Sequence, residues 1–280
     1  MSIPSRHPEV AEPQPNRSMQ DLNCHPELVS GSSHCGDEGS PLTPTLSRRA
    51  RGKRAAFTLA EVLITLAIIG VVAAMTIPTL ISNYQEKVTV TKLKKMYSVL
   101  SQAYRLYRVE NGVPGHQEKS ADGAKAVFDI FKPYLRITND CGTDGVSCIG
   151  QTTYLTKDGN RTSEYSSHEN YYKVVLNDSS TIWFRGGSDE NSPEGVEYDF
   201  DIMFDVNGAV GPNRWGHDLF EFYVLKGELY PNGTQGKPVD NDCLTSDGYG
   251  YGCAAWVIQK GNLDYLKCPD ELTWSDNKCD

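Results

Sequence analysis

The fold of this chain is decided by residues 55–81, which read AAFTLAEVLITLAIIGVVAAMTIPTLI. From Phe57 to Ile81 the only ionisable side chain is Glu61, so 25 residues form one apolar run. A helix of that length is long enough to cross the hydrocarbon core of a bilayer. The run is longer than the apolar core of a signal peptide, and it has no small-residue cleavage site at its far end. We therefore expect it to be retained as a membrane helix.

The charges around the run predict its orientation. Residues 1–56 hold seven Lys and Arg residues, and five of these seven lie between Arg48 and Arg54. A basic flank on the N-terminal side predicts a cytoplasmic N-terminus, with the C-terminal part of the chain outside the cytoplasm. That part holds 20 basic and 30 acidic residues, and the whole chain has a net charge of −9. This balance argues against general nucleic-acid binding, so no nucleic-acid partner is expected.

The leader, residues 1–56, is rich in Pro, Ser and Gly and has little periodicity, which is typical of disorder. Its segments CHPELVSGS and SPLTPTLSRRARG resemble translated repeat elements found ahead of many bacterial genes, which suggests an over-extended gene start. The ligand types of Cys24, His25, His34 and Cys35 suit zinc, but their order matches no common zinc spacing. A disordered leader is the favoured interpretation.

The junction between the leader and the apolar run carries a motif. Residues 56–61 read AFTLAE, a small residue and then Phe-Thr-Leu-x-Glu, directly after a basic segment. From Arg51 to roughly Leu100 the chain resembles type IV pilins and type II secretion pseudopilins, whose signature is the prepilin-type cleavage and methylation motif. The resemblance implies that a prepilin peptidase cleaves between Ala56 and Phe57 and that the new Phe57 amine is N-methylated. The family usually has Gly before the cut and a much shorter leader, whereas this chain has Ala56, which is also small.

Glu61 becomes the fifth residue of the processed chain, where the family has its glutamate. Phe57 and Glu61 are four residues apart and therefore share one helix face. The carboxylate can meet the amine of its own chain or that of a neighbouring subunit, and the second pairing would favour one axial register during assembly. The alternative is an incidental glutamate at a helix N-terminus, which the helix dipole tolerates.

Gly70 and Pro78 match a glycine and a helix-kinking proline of the family. Pro78 removes one backbone hydrogen bond and presses on the preceding turn, and Gly70 adds flexibility nearby. In the family this region bends and can partly melt when subunits pack into a filament. A plain kinked anchor is the alternative that fits the same two residues.

The rest of the chain predicts an α+β fold of pilin-like architecture. Residues 82–110 extend the membrane helix of residues 57–81 as an amphipathic half, whose apolar stripe is formed by Leu93, Met96, Tyr97, Leu100, Tyr104 and Tyr107. A short second helix is expected to end near Pro133. Strands are predicted at 171–176, 181–185 and 198–205, with a further pair turning at Lys226-Gly227 and a last strand within 254–266. Residues 111–280 are therefore expected to form an extracytoplasmic domain with an antiparallel sheet.

Six cysteines follow the apolar run, and an even number outside the cytoplasm indicates disulfides. Fifteen connectivities are possible for six cysteines. Because short loops close most easily, the favoured pairs are Cys141–Cys148, Cys243–Cys253 and Cys268–Cys279.

The sequence contains no strong candidate for a catalytic site. Asp199 and Asp201 are paired at strand spacing, and we expect them to lie on a solvated face of the sheet. The histidines His116, His168 and His217 have no metal-ligand spacing. No glycine-rich phosphate loop or nucleophile elbow is present. The protein is therefore expected to be a structural subunit and not an enzyme.

Calcium is the one cofactor that the sequence raises, because clustered oxygen side chains in loops suit this ion. One loop offers Asp205, Asn207 and Asp218, and a second loop offers Asp240, Asp242 and Asp247. Some type II secretion pseudopilins bind calcium in a C-terminal loop. The favoured interpretation of both loops is ordinary Asp, Asn and Gly turn chemistry.

Taken with the resemblance, the sequence predicts a subunit that is held in the bacterial inner membrane and assembled by helix packing. Its expected partners are prepilin peptidase, other pilin or pseudopilin subunits, the inner-membrane assembly machinery and membrane lipid. A type II pseudopilus and a type IV pilus both fit. Residues 204–231 also weakly resemble a subset of pseudopilin-like secretion proteins. The alternative is a membrane-anchored periplasmic enzyme or binding module that uses an uncleaved helix as its tether.

Overall fold

The computed structural model of the protein describes residues 57–150, 153–188, 197–237 and 242–279. The predictions for the leader, for Ala56 and for Asp240 fall outside these residues. Within them the helices are α1 (Leu59–Asn111), α2 (Ala121–Phe131), α3 (Val146–Ile149) and α4 (Cys253–Lys260). The strands are β1 (Ile137–Gly142), β2 (Tyr154–Leu155), β3 (Thr162–Ser163), β4 (Tyr171–Leu176), β5 (Thr181–Ser188), β6 (Tyr198–Asp205), β7 (Leu219–Leu225) and β8 (Glu228–Pro231).

Helix α1 is 53 residues long and confirms the predicted single helix. It ends where Gly112 adopts a positive φ of 82° and donates its N–H to the carbonyl of Arg108. The buried residues of its outer half follow the predicted spacing: Val90, Leu93, Met96, Leu100, Ala103 and Tyr104. Tyr97 and Tyr107 are partly buried against the same core. The outer half of α1 is therefore part of the globular domain.

A six-stranded antiparallel sheet, in the order β1-β4-β5-β6-β7-β8, confirms the α+β class. Strands β4 to β8 follow one another as a meander, so each pairs with its neighbour in sequence. The predicted turn between β7 and β8 is present, with φ of 51° at Lys226 and 73° at Gly227. Two consecutive positive φ angles match the twist of a two-residue hairpin.

Helices α1 and α2 pack on one face of the sheet through aromatic side chains. Phe128 of α2 stacks on Tyr172 with ring centroids 4.2 Å apart. Tyr104 of α1 lies 6.2 Å from Phe131 and 5.7 Å from Phe200, centroid to centroid. Each fully buried aromatic ring contributes roughly 1.5–3 kcal/mol of hydrophobic free energy. This core fixes the sheet to the outer half of the long helix.

The opposite face of the sheet is also covered, so the prediction of a solvated face was wrong. Asp201 is fully buried and Asp199 is partly buried. Tyr154 of β2 packs edge-on against Trp183 of β5 at 5.6 Å, as part of a second buried cluster. Alternation along a strand identifies its two faces, but it does not reveal that a distant loop packs over the polar one.

The last predicted strand, within 254–266, is also wrong. Cys253–Lys260 forms helix α4, followed by a 3₁₀ turn at Asp264–Leu266. Gly261 ends α4 in the left-handed conformation and donates its N–H to the carbonyl of Val257. A short apolar run such as this one does not distinguish strand from buried helix by its periodicity. The glycine at the helix C-terminus was the available signal.

Three disulfides link neighbouring parts of the domain, and they are the three local pairs favoured from the sequence. The Cα atoms are 5.5 Å apart in Cys141–Cys148, 4.8 Å in Cys243–Cys253 and 5.9 Å in Cys268–Cys279. The second of them joins a 3₁₀ turn to the start of α4, and the third ties down the C-terminal segment.

Candidate assembly site

The start of α1 is a capping box built by Thr58 and Glu61. Thr58 is the N-cap, with an extended backbone at φ −79° and ψ 150°. Its hydroxyl accepts the backbone N–H of Glu61 at 3.2 Å, while its own N–H donates to Glu61 Oε2 at 2.8 Å. These reciprocal bonds satisfy donors that a helix N-terminus otherwise leaves free. From the sequence, Glu61 was predicted to pair with an amine or, as the alternative, to be an incidental glutamate at a helix N-terminus. Its capping bonds with Thr58 were not predicted.

The two carboxylate oxygens of Glu61 differ in their surroundings. Oε2 accepts both the N–H of Thr58 and its hydroxyl, the latter at 2.9 Å. Oε1 has no hydrogen-bond partner among the residues that the structure describes. A cut between residues 56 and 57 would leave the Thr58 N–H in place. The capping box and a bond from Oε1 to an amine are therefore compatible.

The first half of α1 is exposed along its whole length. Phe57 is 85% exposed, and of residues 57–81 only Ala73 is partly buried. The helix is long and apolar enough to cross a membrane. Hydroxyls within the run bond to their own helix, as Thr76 Oγ1 does to the carbonyl of Val72 at 3.0 Å. This arrangement suits a segment without water around it.

Gly70 and Pro78 lie inside this exposed half. A Cβ atom added to Gly70 would meet nothing within 4 Å. Packing among the described residues therefore does not require glycine there. Pro78 is inside α1, which continues past it to Asn111. Neither residue packs against the globular domain. A role for Gly70 or Pro78 in bending or assembly therefore depends on the lipid or subunits around the helix.

The loop between β6 and β7 brings together the first set of predicted calcium ligands. Asp205 and Asp218 are both buried, and burial together with the charge of Asp218 raises the pKa of Asp205 to about 8. Asp205 accepts the N–H of Asn207 at 3.1 Å, and Asp218 accepts that of Asn213 at 2.8 Å. These bonds are the turn chemistry that the sequence favoured.

Two further oxygens of this loop are relevant to a cation. Oδ1 of Asn207 and Oδ1 of Asn213 are buried without a hydrogen-bond partner in the described residues. No three His, Cys, Asp or Glu side chains cluster as metal ligands in the same residues, so a cation here would depend on these amides. Two carboxylates and two unpaired amide oxygens are the hard donors that calcium prefers. By ligand type this loop suits the ion, and each of its carboxylate oxygens already accepts a hydrogen bond within the domain.

The second predicted calcium set is arranged differently. Asp247 is exposed, and both carboxylate oxygens of Asp242 accept backbone N–H groups, at 2.8 and 3.0 Å, as those of Asp218 also do, at 2.8 and 2.7 Å. The Lys157 ammonium donates to two carbonyl oxygens of this loop, at 2.7 and 2.5 Å. An ammonium group thus already supplies positive charge here, which makes the loop of Asp205 and Asp218 the better candidate.

A buried charge cluster on the covered face of the sheet was missed by the sequence analysis. Arg185 on β5 donates through Nε to both oxygens of Asp201 on β6, at 3.0 and 2.8 Å. Glu221 on β7 lies 3.8 Å from the same guanidinium. Burial and the neighbouring Asp201 raise the pKa of Glu221 well above its usual range. One arginine faces two acidic groups, an arrangement that holds three strands together.

The histidines form no common site with this cluster. Burial and the charges of Arg214 and Lys157 lower the pKa of His217 to about 4, so it is neutral at physiological pH. His116 and His168 are exposed. None of the three stands in a group of potential metal ligands within the described ranges.

A long helix with an exposed apolar start, packed on an antiparallel sheet, is a pilin-like arrangement. Residues 51–77 match the family model described as the prokaryotic N-terminal methylation motif, which is the type IV pilin and pseudopilin signature. The match spans Ala56, Phe57, Glu61 and Gly70 and ends one residue before Pro78. No curated protein and no solved structure was found to match the chain.

Proposed function

We propose that the chain is a prepilin-like structural subunit of a bacterial filament. Prepilin peptidase would cleave it between Ala56 and Phe57, the Phe57 amine would be methylated, and residues 57–81 would hold it in the inner membrane before assembly. The observation that carries the proposal is the methylation motif at the start of a helix whose membrane-length half is exposed. An apolar surface of that extent needs lipid or other helices around it.

The filament is a type II secretion pseudopilus or a type IV pilus, with the N-terminus of the precursor on the cytoplasmic side. The processed chain has 224 residues, from 57 to 280, which is long for an abundant repeating subunit. We therefore propose a minor or specialised role. The sheet domain would supply the outer surface of the filament, and other subunits and the inner-membrane assembly machinery would be its partners.

Within this proposal Glu61 has two partners. Oε2 caps its own helix through Thr58, and Oε1 accepts the methylated amine of a neighbouring subunit. A carboxylate inside a membrane is costly unless it is paired. When an incoming subunit is added in the axial register that places its amine next to Glu61, the carboxylate becomes paired and this cost is removed. The pairing would therefore select that axial register.

The substitution Glu61→Gln separates the two roles. Glutamine also completes a capping box, but it has no charge for an amine. We expect the variant to enter the membrane at wild-type level and to appear in sheared filaments about tenfold less, because a charge-assisted bond is worth about 1.5–3 kcal/mol. Immunoblots of the membrane and filament fractions measure both quantities.

Thr58→Ala is the matched control, because it weakens the cap and keeps the carboxylate. Loss of an N-cap costs about 1 kcal/mol of helix stability, so assembly should remain close to wild type. Impairment of Thr58→Ala as severe as that of Glu61→Gln would show that assembly depends on the cap as much as on the charge. Wild-type assembly of Glu61→Gln would remove the pairing role altogether.

We also propose that the loop from Asp205 to Asp218 binds calcium. Both carboxylates and the side-chain oxygens of Asn207 and Asn213 would hold the ion. The support for this is the pair of unpartnered amide oxygens beside two buried carboxylates. Bound calcium would supply the positive charge that these two neighbouring carboxylates lack.

A further inference from the structure

A small cavity lies between the outer part of α1 and the edge strand β8. Its volume is about 260 Å³, which is sufficient for a small molecule or one functional group of a larger one. The helix contributes Tyr97, Ser101, Tyr104, Arg105 and Arg108, and the strand contributes Glu228, Leu229 and Tyr230. This cavity is separate from the start of α1 and from both calcium candidates.

Two arginines give the cavity its charge. Arg105 and Arg108 are three residues apart, so they lie on one helix face. Neither forms an ion pair with any residue that the structure describes. The guanidinium of Arg108 lies over the Tyr104 ring, 5.8 Å from its centroid, and is thereby held at the wall. Uncompensated guanidinium groups in a concave site attract anions.

One carboxylate also lines the cavity, but it has other partners. Glu228 accepts the hydroxyl hydrogen of Tyr230. The ammonium of Lys237 donates to the same hydroxyl at 2.9 Å and lies 4.0 Å from the ring centroid. Among the residues that line the cavity, two arginines stand against one carboxylate, so the lining itself carries a net positive charge.

Two hydroxyl groups of the lining residues lack partners. Tyr104 is only 2% exposed, and its hydroxyl has no hydrogen bond in the described residues. The hydroxyl of Ser101 is likewise buried and unpaired there. A buried hydroxyl without a hydrogen-bond partner destabilises the fold, so a ligand oxygen that accepts from it would bind favourably. Burial raises the pKa of Tyr104 to about 12, so its hydroxyl keeps its proton and is a donor at physiological pH.

We propose that this cavity binds a small oxyanion, a carboxylate or a phosphate group, through Arg105 and Arg108. Guanidinium groups bind both anions through paired N–H bonds, which makes arginine the usual residue for this purpose. Ser101 and Tyr104 line the same cavity, and their unpaired hydroxyls would be further donors. The proposal does not depend on the filament function, because it rests only on the folded domain.

The test is calorimetric titration of the full-length chain, in a non-ionic detergent at constant ionic strength. Inorganic phosphate and sodium acetate are the two probes, and they distinguish the two anion classes. We expect saturable binding of at least one of them. The double variant Arg105→Gln/Arg108→Gln should bind that anion about tenfold more weakly or worse, because it removes both guanidinium groups that pair with the anion.

Two further variants control for loss of structure. Arg161→Gln removes an arginine that also lies over a tyrosine ring, that of Tyr249 at 4.5 Å, but does not line this cavity. It should bind the anion like wild type. Tyr104→Phe removes an unpaired hydroxyl, so the melting temperature should not fall while anion binding weakens. No saturable binding of either probe by wild type, or equal binding by the double variant, would overturn the proposal.

Discussion

Glu221 shows what one buried carboxyl does in this domain. Its Oε2 accepts the hydroxyl of Tyr223 at 2.8 Å and the amide of Asn232 at 3.0 Å. The guanidinium of Arg185 donates to Asp201 and not to Glu221. Glu221 is therefore buried beside a second acidic group, Asp201. Both conditions favour its protonated form and raise its pKa.

This raised pKa makes stability depend on pH. Above the ordinary pKa of a glutamate, the folded protein holds a proton that the unfolded chain releases, so the free energy of unfolding falls as pH rises. Glu221→Gln copies the protonated form and should remove that part of the slope. We expect the free energy of unfolding, measured in urea unfolding curves, to fall less between pH 5 and pH 8 in this variant than in wild type.

Glu228→Gln is the matched control, because this glutamate is exposed on the next strand. It should leave the pH dependence of wild type unchanged. If Glu221→Gln kept the full wild-type slope, the raised pKa would not contribute to stability.

The cluster around Glu221 was invisible in the sequence for a physical reason. The strands β5, β6 and β7 were each recognised, but the contact between Arg185 and Asp201 depends on their register. The register of β5 against β6 pairs Arg185 with Asp201, and the chain segments that pack over this face of the sheet exclude water from both side chains. Neither register nor a covering loop leaves a periodic signal in one strand.

Among the elements, α1 could be predicted almost completely and α4 could not. Helix α1 carries an N-cap, an unbroken apolar run, a regular stripe and a glycine at its end, and these signals agree over 53 residues. Helix α4 has eight residues, and five of them are buried. Too few polar residues remain to show a helical periodicity in the sequence. Local signals determine long amphipathic helices, whereas tertiary packing determines short buried ones.

The loop from Asp205 to Asp218 is the element whose behaviour should change with calcium. Calcium at about a hundred times its dissociation constant would raise the free energy of unfolding by about 2.7 kcal/mol, and a chelator would reverse the gain. Thermal unfolding with and without calcium measures the effect. Asp205→Asn and Asp218→Asn should abolish it.

Asp247→Asn is the control, because Asp247 is an exposed residue of the other acidic loop. It should respond to calcium as wild type does. A wild-type protein whose unfolding temperature is unaffected by calcium would contradict the proposed site.

At the scale of the whole molecule, the two halves of α1 have different surroundings. The outer half is buried against the sheet and α2, while residues 57–81 have almost no cover from the rest of the described residues. The sequence predicted this division because an all-round apolar run and a single stripe are distinct patterns. It did not predict the second layer over the sheet, which arises from contacts between residues far apart in the chain.

Mass spectrometry of the N-terminus, on protein purified from membranes of a bacterium that expresses it with its own prepilin peptidase, tests the proposed function most directly. We predict a chain that begins at Phe57, with one methyl group on the Phe57 amine and the three disulfides intact. Recovery of the membrane-inserted protein with residues preceding Phe57 still attached would contradict processing, and with it the proposal that this chain is a filament subunit.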